Sequence, residues 1–374
     1  MYAEIQPTQL LDKIQAISNS AKDIVLPGGK ITALPSTKIR AEINKETGYR
    51  DDLHHVSEDF HLDKNSDMQL ASKLDIPKPY YDRMKQKAPE LWANNCNHWF
   101  EKLGKNLLMR TWNPTPPMIH QSPVNDTWRR PDHHVHGTIR AILSDRYRRI
   151  DNLDIFKTVL PILTEQPDMK IVSCHVDQYK LYIKAIFPKI EGEVARGDVV
   201  QSGVAITNSE TGNGALKIEA LVFRLVCLNG LILPDGSLNK RHLGSKIEVD
   251  SNVFRAETIE QDDKALMMKI EDVTRTATNE ANFTHIINQL KESADRPITM
   301  LPREQVKVLA KKASLTEDEH DNILAQLYTA SDFSHWGIAN AVTAASKAAN
   351  DYESATNLEY LGGKIISNPQ LLAA

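Results

Sequence analysis

Apolar and polar positions change their spacing three times along the chain, and each change predicts a different kind of structure. Near the start, Leu10, Leu11, Ile14 and Ile17 fall on one side of a helical wheel behind Thr8, a residue suited to capping. Ser66 followed by Gln69 has the form of a capping box, ahead of Leu70, Ala71 and Leu74, with Pro77 and Pro79 ending the helix. Residues 1–106 therefore read as a mainly helical segment. From residue 107 to about 250 the pattern shortens to β-rich runs at 107–112, 137–143, 170–176, 181–187, 199–207 and 216–227. The Glu-Thr-Gly-Asn-Gly stretch at 210–214 is turn-forming and predicts a hairpin between the last two runs. A single helix at 152–163 interrupts them. Connections this short do not suit repeated parallel crossovers, so the expected fold is α+β, a central antiparallel sheet with helical N-terminal and C-terminal segments.

Residues 251–374 return to helical spacing. Leu266, Ile270, Val273, Ala277, Ala281, Ile287 and Leu290 follow one another at three to four residues, which predicts one long helix over 264–292. Thr316 and Glu319 form another capping box, and 334–350 is alanine-rich, fitted to close packing on a neighbour. The stretch 113–136, rich in Pro, Asn and Arg, reads as a loop inserted between two strands of the core.

Composition narrows the class. Hydrophobic residues make up 41% of the chain, with 16 glycines and 18 prolines, which excludes wholesale disorder and collagen-like repeats. The longest apolar stretch, 221–233, is cut by Arg224 and Asn229 and is too short to span a bilayer. Three cysteines without CxxC spacing, and a start that lacks the form of a signal peptide, lead us to expect a reduced, cytoplasmic protein. The net charge of −4 is unevenly spread: 15 basic and 15 acidic residues over 1–106, 18 and 16 over 107–250, 12 and 18 over 251–374. Six arginines lie between 129 and 149, where the only acidic residues are Asp132 and Asp145. An anionic partner would meet this middle segment.

Four phrases carry a family resemblance: Leu-Leu-Met-Arg at 107–110, Arg-Ala-Ile-Leu-Ser-Asp-Arg-Tyr-Arg-Arg-Ile-Asp-Asn at 140–152, Phe-Arg-Leu-Val-Cys-Leu-Asn-Gly at 223–230, and Trp336 with Asn-Ala-Val-Thr at 340–343. Together, from about Asp67 to Gly363, they resemble the phage/plasmid-like protein family, a domain of unknown function found on mobile bacterial elements. The chain departs from that pattern at 113–136, where the two arginine-bearing strands are usually joined more directly. The resemblance implies a mobile-element setting and DNA metabolism, and it supplies no catalytic residues.

The candidate chemistry is mostly basic. If a strand continues through residue 148, Arg140, Ile142, Ser144, Arg146 and Arg148 share one face, and a row of guanidinium forks could follow a phosphate backbone. Asp145, Asp151 and Asp154 lie close by, and internal pairing would account for the same residues. Arg224 sits in an apolar run and needs a carboxylate or a ligand anion. The nucleic-acid-binding set read from the sequence is Arg110, Arg140, Arg146, Arg148, Arg149 and Arg224. Asp132, His134 and His136 form a weaker metal-ligating candidate, with His54, His55, Cys174, His175 and Asp177 as further donors. Residues 69–84 have the outline of a helix-turn-helix but lack its glycine and carry two prolines where the second helix begins; a helical hairpin packed on the core fits them better. Tyr80, Tyr81, Trp92 and Trp99 could stack bases or fill a core.

No GxSxG, P-loop, GxGxxG or HExxH motif is present. These features together suggest a non-enzymatic protein that needs no cofactor and binds nucleic acid, single-stranded DNA in particular, in replication or recombination. The long helices would frame the groove or join copies into a homo-oligomer. Two rivals are a metal-dependent enzyme acting on phosphodiesters and an interaction protein that meets a host factor through its acidic C-terminal segment.

Overall fold

The computed structural model describes residues 7–46, 53–112, 135–240 and 256–373. The class is α+β, and the strands divide between two sheets. After α1 (Pro7–Ser20) come β1 (Ala21–Pro27), β2 (Ile31–Ala33), β3 (Ile39–Glu46) and β4 (Leu53–Leu62). The N-terminal segment thus carries four strands beside its helices, which the sequence reading did not place. These strands escape a helix-oriented reading because their buried positions are few; in β3, Ile39 and Ala41 point into the core while Arg40 and Glu42 alternate with them. With β5 (Asn106–Trp112) and β6 (Val135–Ser144) they make a sheet of order β1-β5-β6-β4-β3-β2, in which β4 and β6 run parallel and the other neighbours antiparallel.

One face of this sheet is covered by α2 (Lys64–Lys73), α3 (Lys78–Lys87) and α4 (Pro89–Lys102), around a core that includes Phe60, Leu70, Trp92, Phe100, Met109 and Ile142. Helix α2 starts earlier than the capping-box reading of Ser66 places it: Asp63 is the N-cap, and its carboxylate accepts from the Ser66 amide. Gln69 instead reaches away from the helix, accepting from the Ile142 amide and donating to the Thr211 carbonyl.

The second sheet is an antiparallel meander of β7 (Lys170–Val176), β8 (Leu181–Ala195), β9 (Asp198–Asn208), β10 (Leu216–Arg224) and β11 (Asn229–Lys240), and the predicted β9–β10 hairpin is present. Its inner face packs on α1, α5 (Asn152–Thr164), α6 (Ala256–Ala277), α7 (Glu280–Ala294), α8 (Pro302–Ala313), α9 (Glu317–Ala330) and α10 (His335–Ala345) in the largest core. The expected single helix over 264–292 is two helices. Asn279 breaks it by turning its side chain onto the amides of Ala281 and Asn282, an N-cap that competes with continued helix. The capping box of Thr316 with Glu319 opens α9 as the sequence suggests.

Helix α11 (Tyr352–Ser367) crosses the outer face of the second sheet. Tyr352 meets Ser173 of β7, Glu359 meets Lys184 of β8 and Tyr360 meets Glu219 of β10. Gly363 lies so close to β11 that a Cβ there would collide with the Ile232 carbonyl, so glycine is required at the crossing. Ala339, Ala341 and Ala345 of α10 are buried in the main core, so the alanine-rich stretch packs within the chain. Ala345→Leu is expected to overpack this contact and cost about 1 to 3 kcal/mol, read as a lowered midpoint of thermal unfolding. Among the described residues no helix is long and apolar enough to cross a membrane, and Cys96, Cys174 and Cys227 are free thiols.

Candidate nucleic-acid interface

The predicted row of arginines does not form. Strand β6 ends at Ser144, so Arg146, Arg148 and Arg149 belong to the following loop and are not on a strand face. Within β6 the alternation also slips. Arg110 lies opposite Ala141 while Thr111 lies opposite Ile139, which leaves Arg140 as the extra residue of a β-bulge. Ile139 and Ile142 consequently both enter the core under α2–α4, and Arg140 turns to the turn between β9 and β10.

That turn builds a buried ionic junction between the sheets. Arg110 and Arg140 are each only 2% exposed. Arg110 donates from Nε to Asp23 at 2.9 Å, from Nη2 to Asp151 at 2.6 Å and from Nη1 to the Glu210 carbonyl at 3.0 Å. Burial opposes its charge, yet Asp151, Asp23 and Glu210 together hold its pKa above the ordinary arginine value. Arg140 donates from Nη1 to Glu210 Oε2 at 2.5 Å and lies over the Trp112 ring. The other Glu210 oxygen accepts from the Asn152 amide at 2.7 Å, so a carboxylate from a distant turn satisfies the first turn of α5. Asn65 closes the junction with bonds to the Arg140 and Thr211 carbonyls. Nearby, burial pushes the Asp63 carboxyl up to about 7 against the opposing pull of the Ser66 amide.

The remaining arginines are also engaged, with one exception. Arg149 pairs with Asp23 at 3.3 Å, and Arg148 meets Asp262 and Asp263 of α6 at 2.8 and 2.9 Å. Arg224 forms a two-pronged bond to Asp198 at 2.6 and 2.9 Å, Trp336 donates to the same carboxylate at 2.8 Å, and Arg224 Nη1 reaches Cys227 Sγ at 3.1 Å. Burial works against the Arg224 charge, but the Asp198 hydrogen bond and charge keep its pKa raised. Arg146 is exposed, and no partner for its guanidinium is among the described residues. Internal pairing therefore accounts for Arg110, Arg140, Arg148, Arg149 and Arg224. Of the acids named from the sequence, Asp151 is a partner, whereas Glu210, Asp23 and Asp198 come from elsewhere in the chain.

Asp132 and His134 lie outside the described residues, as does the His136 side chain. Among the described residues no group of three or more His, Cys, Asp or Glu is placed to hold a metal ion. His175 and Asp177 pair with each other at 3.4 Å. The 69–84 segment forms α2 and α3 packed on the first sheet, with Tyr81 and Trp92 in edge-on contact at 5.8 Å inside the core. Tyr80 and Trp99 are different: they are 48% and 45% exposed on α3 and α4. On the same stretch of chain, Lys64, Arg83, Lys87, Lys102 and Lys105 are exposed. Lys78 and Lys85 share Asp67 at 3.9 and 2.7 Å.

One cluster has no counterpart in the motif reading. Lys184 and Glu359 form an ion pair buried between β8 and α11, with the ammonium 4.7 Å from the Tyr352 ring centre. Burial pushes Lys184 down to about 7 and Glu359 well above the usual carboxylate range. The only sequence signal is one lysine inside the otherwise apolar 181–187 run.

The fold and these networks define a two-sheet α+β protein held together by buried Arg–carboxylate clusters. A family model described as "Domain of unknown function (DUF932)" matches residues 141–355, and the chain belongs to that family. The matched span holds Asp151, Glu210, Asp198, Arg224 and Trp336, whereas Arg110, Arg140 and Asp23 precede it. The ionic junction thus joins the family region to the N-terminal sheet. No curated protein and no solved structure matches the chain.

Proposed function

We propose that the protein is a non-enzymatic nucleic-acid-binding protein that holds single strands, DNA first among them, on the layer of α2, α3 and α4 rather than on the arginine-bearing strands. The observation that carries this reading is the exposure of Tyr80 and Trp99 on a surface segment, 64–105, with eight basic and five acidic side chains. Exposed rings offer stacking faces to unpaired bases, and lysines and arginines around them neutralise phosphates, a combination that favours single strands of any sequence. The resemblance to phage/plasmid-like proteins supports a setting in the DNA metabolism of a mobile element in a bacterial cytoplasm.

Titration of labelled single-stranded oligonucleotides tests it. Binding should quench Trp99 fluorescence, and Trp99→Ala or Tyr80→Ala should each weaken binding by about 1 to 3 kcal/mol with unchanged thermal stability, since neither ring is in the core. Trp99→Phe, which keeps a stacking face, should be intermediate. If the unmodified protein binds no oligonucleotide at low salt, the proposal fails.

A further inference from the structure

The cations of the α2–α4 layer are not equally available to a bound strand. Lys78 and Lys85 both turn onto Asp67, and their ammonium groups lie 5.3 and 5.4 Å from the ring centres of the buried Tyr81 and Trp92. Asp82, the one acidic residue of α3, is bonded to Lys78 as well. With these internal contacts made, the charged side chains that α3 leaves exposed are Arg83 and Lys87, and neither pairs with a carboxylate among the described residues. Helix α4 differs, because beside Lys102 it exposes Glu90 and Glu101.

Tyr80, Arg83 and Lys87 are spaced i, i+3 and i+7, so they follow one line along α3, each about 5 to 6 Å from the next. Tyr81 and Met84, one position on from Tyr80 and Arg83, are buried, which sets this line on the outward side of the helix. A ring at one end with two cations along the rest matches what an unpaired strand offers in sequence: the face of a base, then charged phosphates.

We propose that this line is the backbone track of the site, with one base stacked on Tyr80 and the adjacent phosphates meeting Arg83 and then Lys87. The inference rests on the nucleic-acid reading above and adds which chemistry of the strand is recognised. The ligand class is a single-stranded polyanion held through its phosphodiester charge, to which the base contributes a ring face and no sequence preference. Arg83 presents a planar fork to two oxygens of one phosphate, and Lys87 a point charge to the next.

The probes are an oligothymidylate and the same oligomer with uncharged methylphosphonate linkages, titrated onto the full chain over a series of salt concentrations. The charged oligomer should bind at least about tenfold more tightly at low salt. Arg83→Ala and Lys87→Ala should each flatten the slope of log affinity against log salt by about 0.7, with an unchanged unfolding midpoint because both side chains are exposed. Arg83→Lys, which keeps the charge and loses the fork, should retain the slope and weaken binding. Lys64→Ala removes an exposed cation of α2 that lies off the line, and it should leave the slope as it was. Slopes unaltered by Arg83→Ala and Lys87→Ala, an equal flattening by Lys64→Ala, or equal binding of the methylphosphonate oligomer overturns the proposal. Trp99 quenching reports the strand independently, so quenching that persists in those cases leaves the reading of Tyr80 and Trp99 standing, whereas loss of all binding by the unmodified protein removes both.

Discussion

Replacing Glu359 alone with leucine is expected to cost about 3 to 5 kcal/mol, because it leaves the Lys184 ammonium buried under α11 without its carboxylate. Lys184→Met should also destabilise, since it leaves the buried Glu359 carboxyl without its partner. The double replacement by methionine and leucine fills the same space without charge and should recover to within about 1 kcal/mol of the parent, or exceed it. Denaturant unfolding of the four proteins closes the cycle. The pH profile adds an independent sign. Lys184 titrates near 7 in the fold but has a reference value of 10.5, so the unfolded chain binds the extra proton between those values. Its contribution therefore makes stability rise with pH across that window. Glu359 acts in the opposite sense: its raised value means the folded chain keeps a proton above 4.5, so its contribution falls as pH rises from there. The double variant should lose both slopes. A double variant as unstable as the worse single one would show that the pair is not the source of the loss.

The pair also shows where sequence reasoning reaches its limit. Strands β7, β9 and β10 were legible because their apolar runs are dense and bounded by turn residues, and the 210–214 turn located the hairpin. Strands β1 to β4 were not, because their few buried positions leave only sparse alternation in segments such as Ile39–Glu46. The apolar period alone ran through Asn279, whose capping side chain is a local competitor that the period does not register. The candidate site was legible only as a composition. Six arginines suggested an anion surface, but strand alternation predicts a common face only if no residue is inserted, and the bulge at Arg140 inserts one. Their partners are distant in sequence: Asp23 is 87 residues from Arg110, and Glu210 is 70 from Arg140. No local pattern reports such pairings. Tyr80 and Tyr81 are adjacent, yet helix rotation buries one and exposes the other, a distinction that depends on which side of α3 meets α2 and α4.

Glu210→Ala is expected to be as damaging as breaking the Lys184 pair, about 3 to 5 kcal/mol, because one buried carboxylate serves two elements. Its oxygens bond Arg140 of β6 and the Asn152 amide that begins α5, while its backbone carbonyl accepts from Arg110 of β5. Removing the side chain leaves the Arg140 charge buried and the start of α5 without its acceptor. Arg110→Ala should also destabilise, since it removes the bonds to Asp151 and to the Glu210 carbonyl and leaves Asp23 with Arg149 alone. Measured by denaturant unfolding, these losses separate an architectural role from a nucleic-acid one. With Arg110 and Arg140 bonded inside the protein, their alanine variants should retain the parent's slope of log affinity against log salt at temperatures where they remain folded. Every single-strand phosphate that a variant no longer neutralises would instead flatten that slope by about 0.7. A flattened slope with unchanged stability in Arg140→Ala would return the arginine-bearing strands to the binding surface and displace Tyr80 and Trp99 from it. The expected result, lower stability with an unaltered slope, assigns the arginines to joining the two sheets and leaves recognition to the exposed rings.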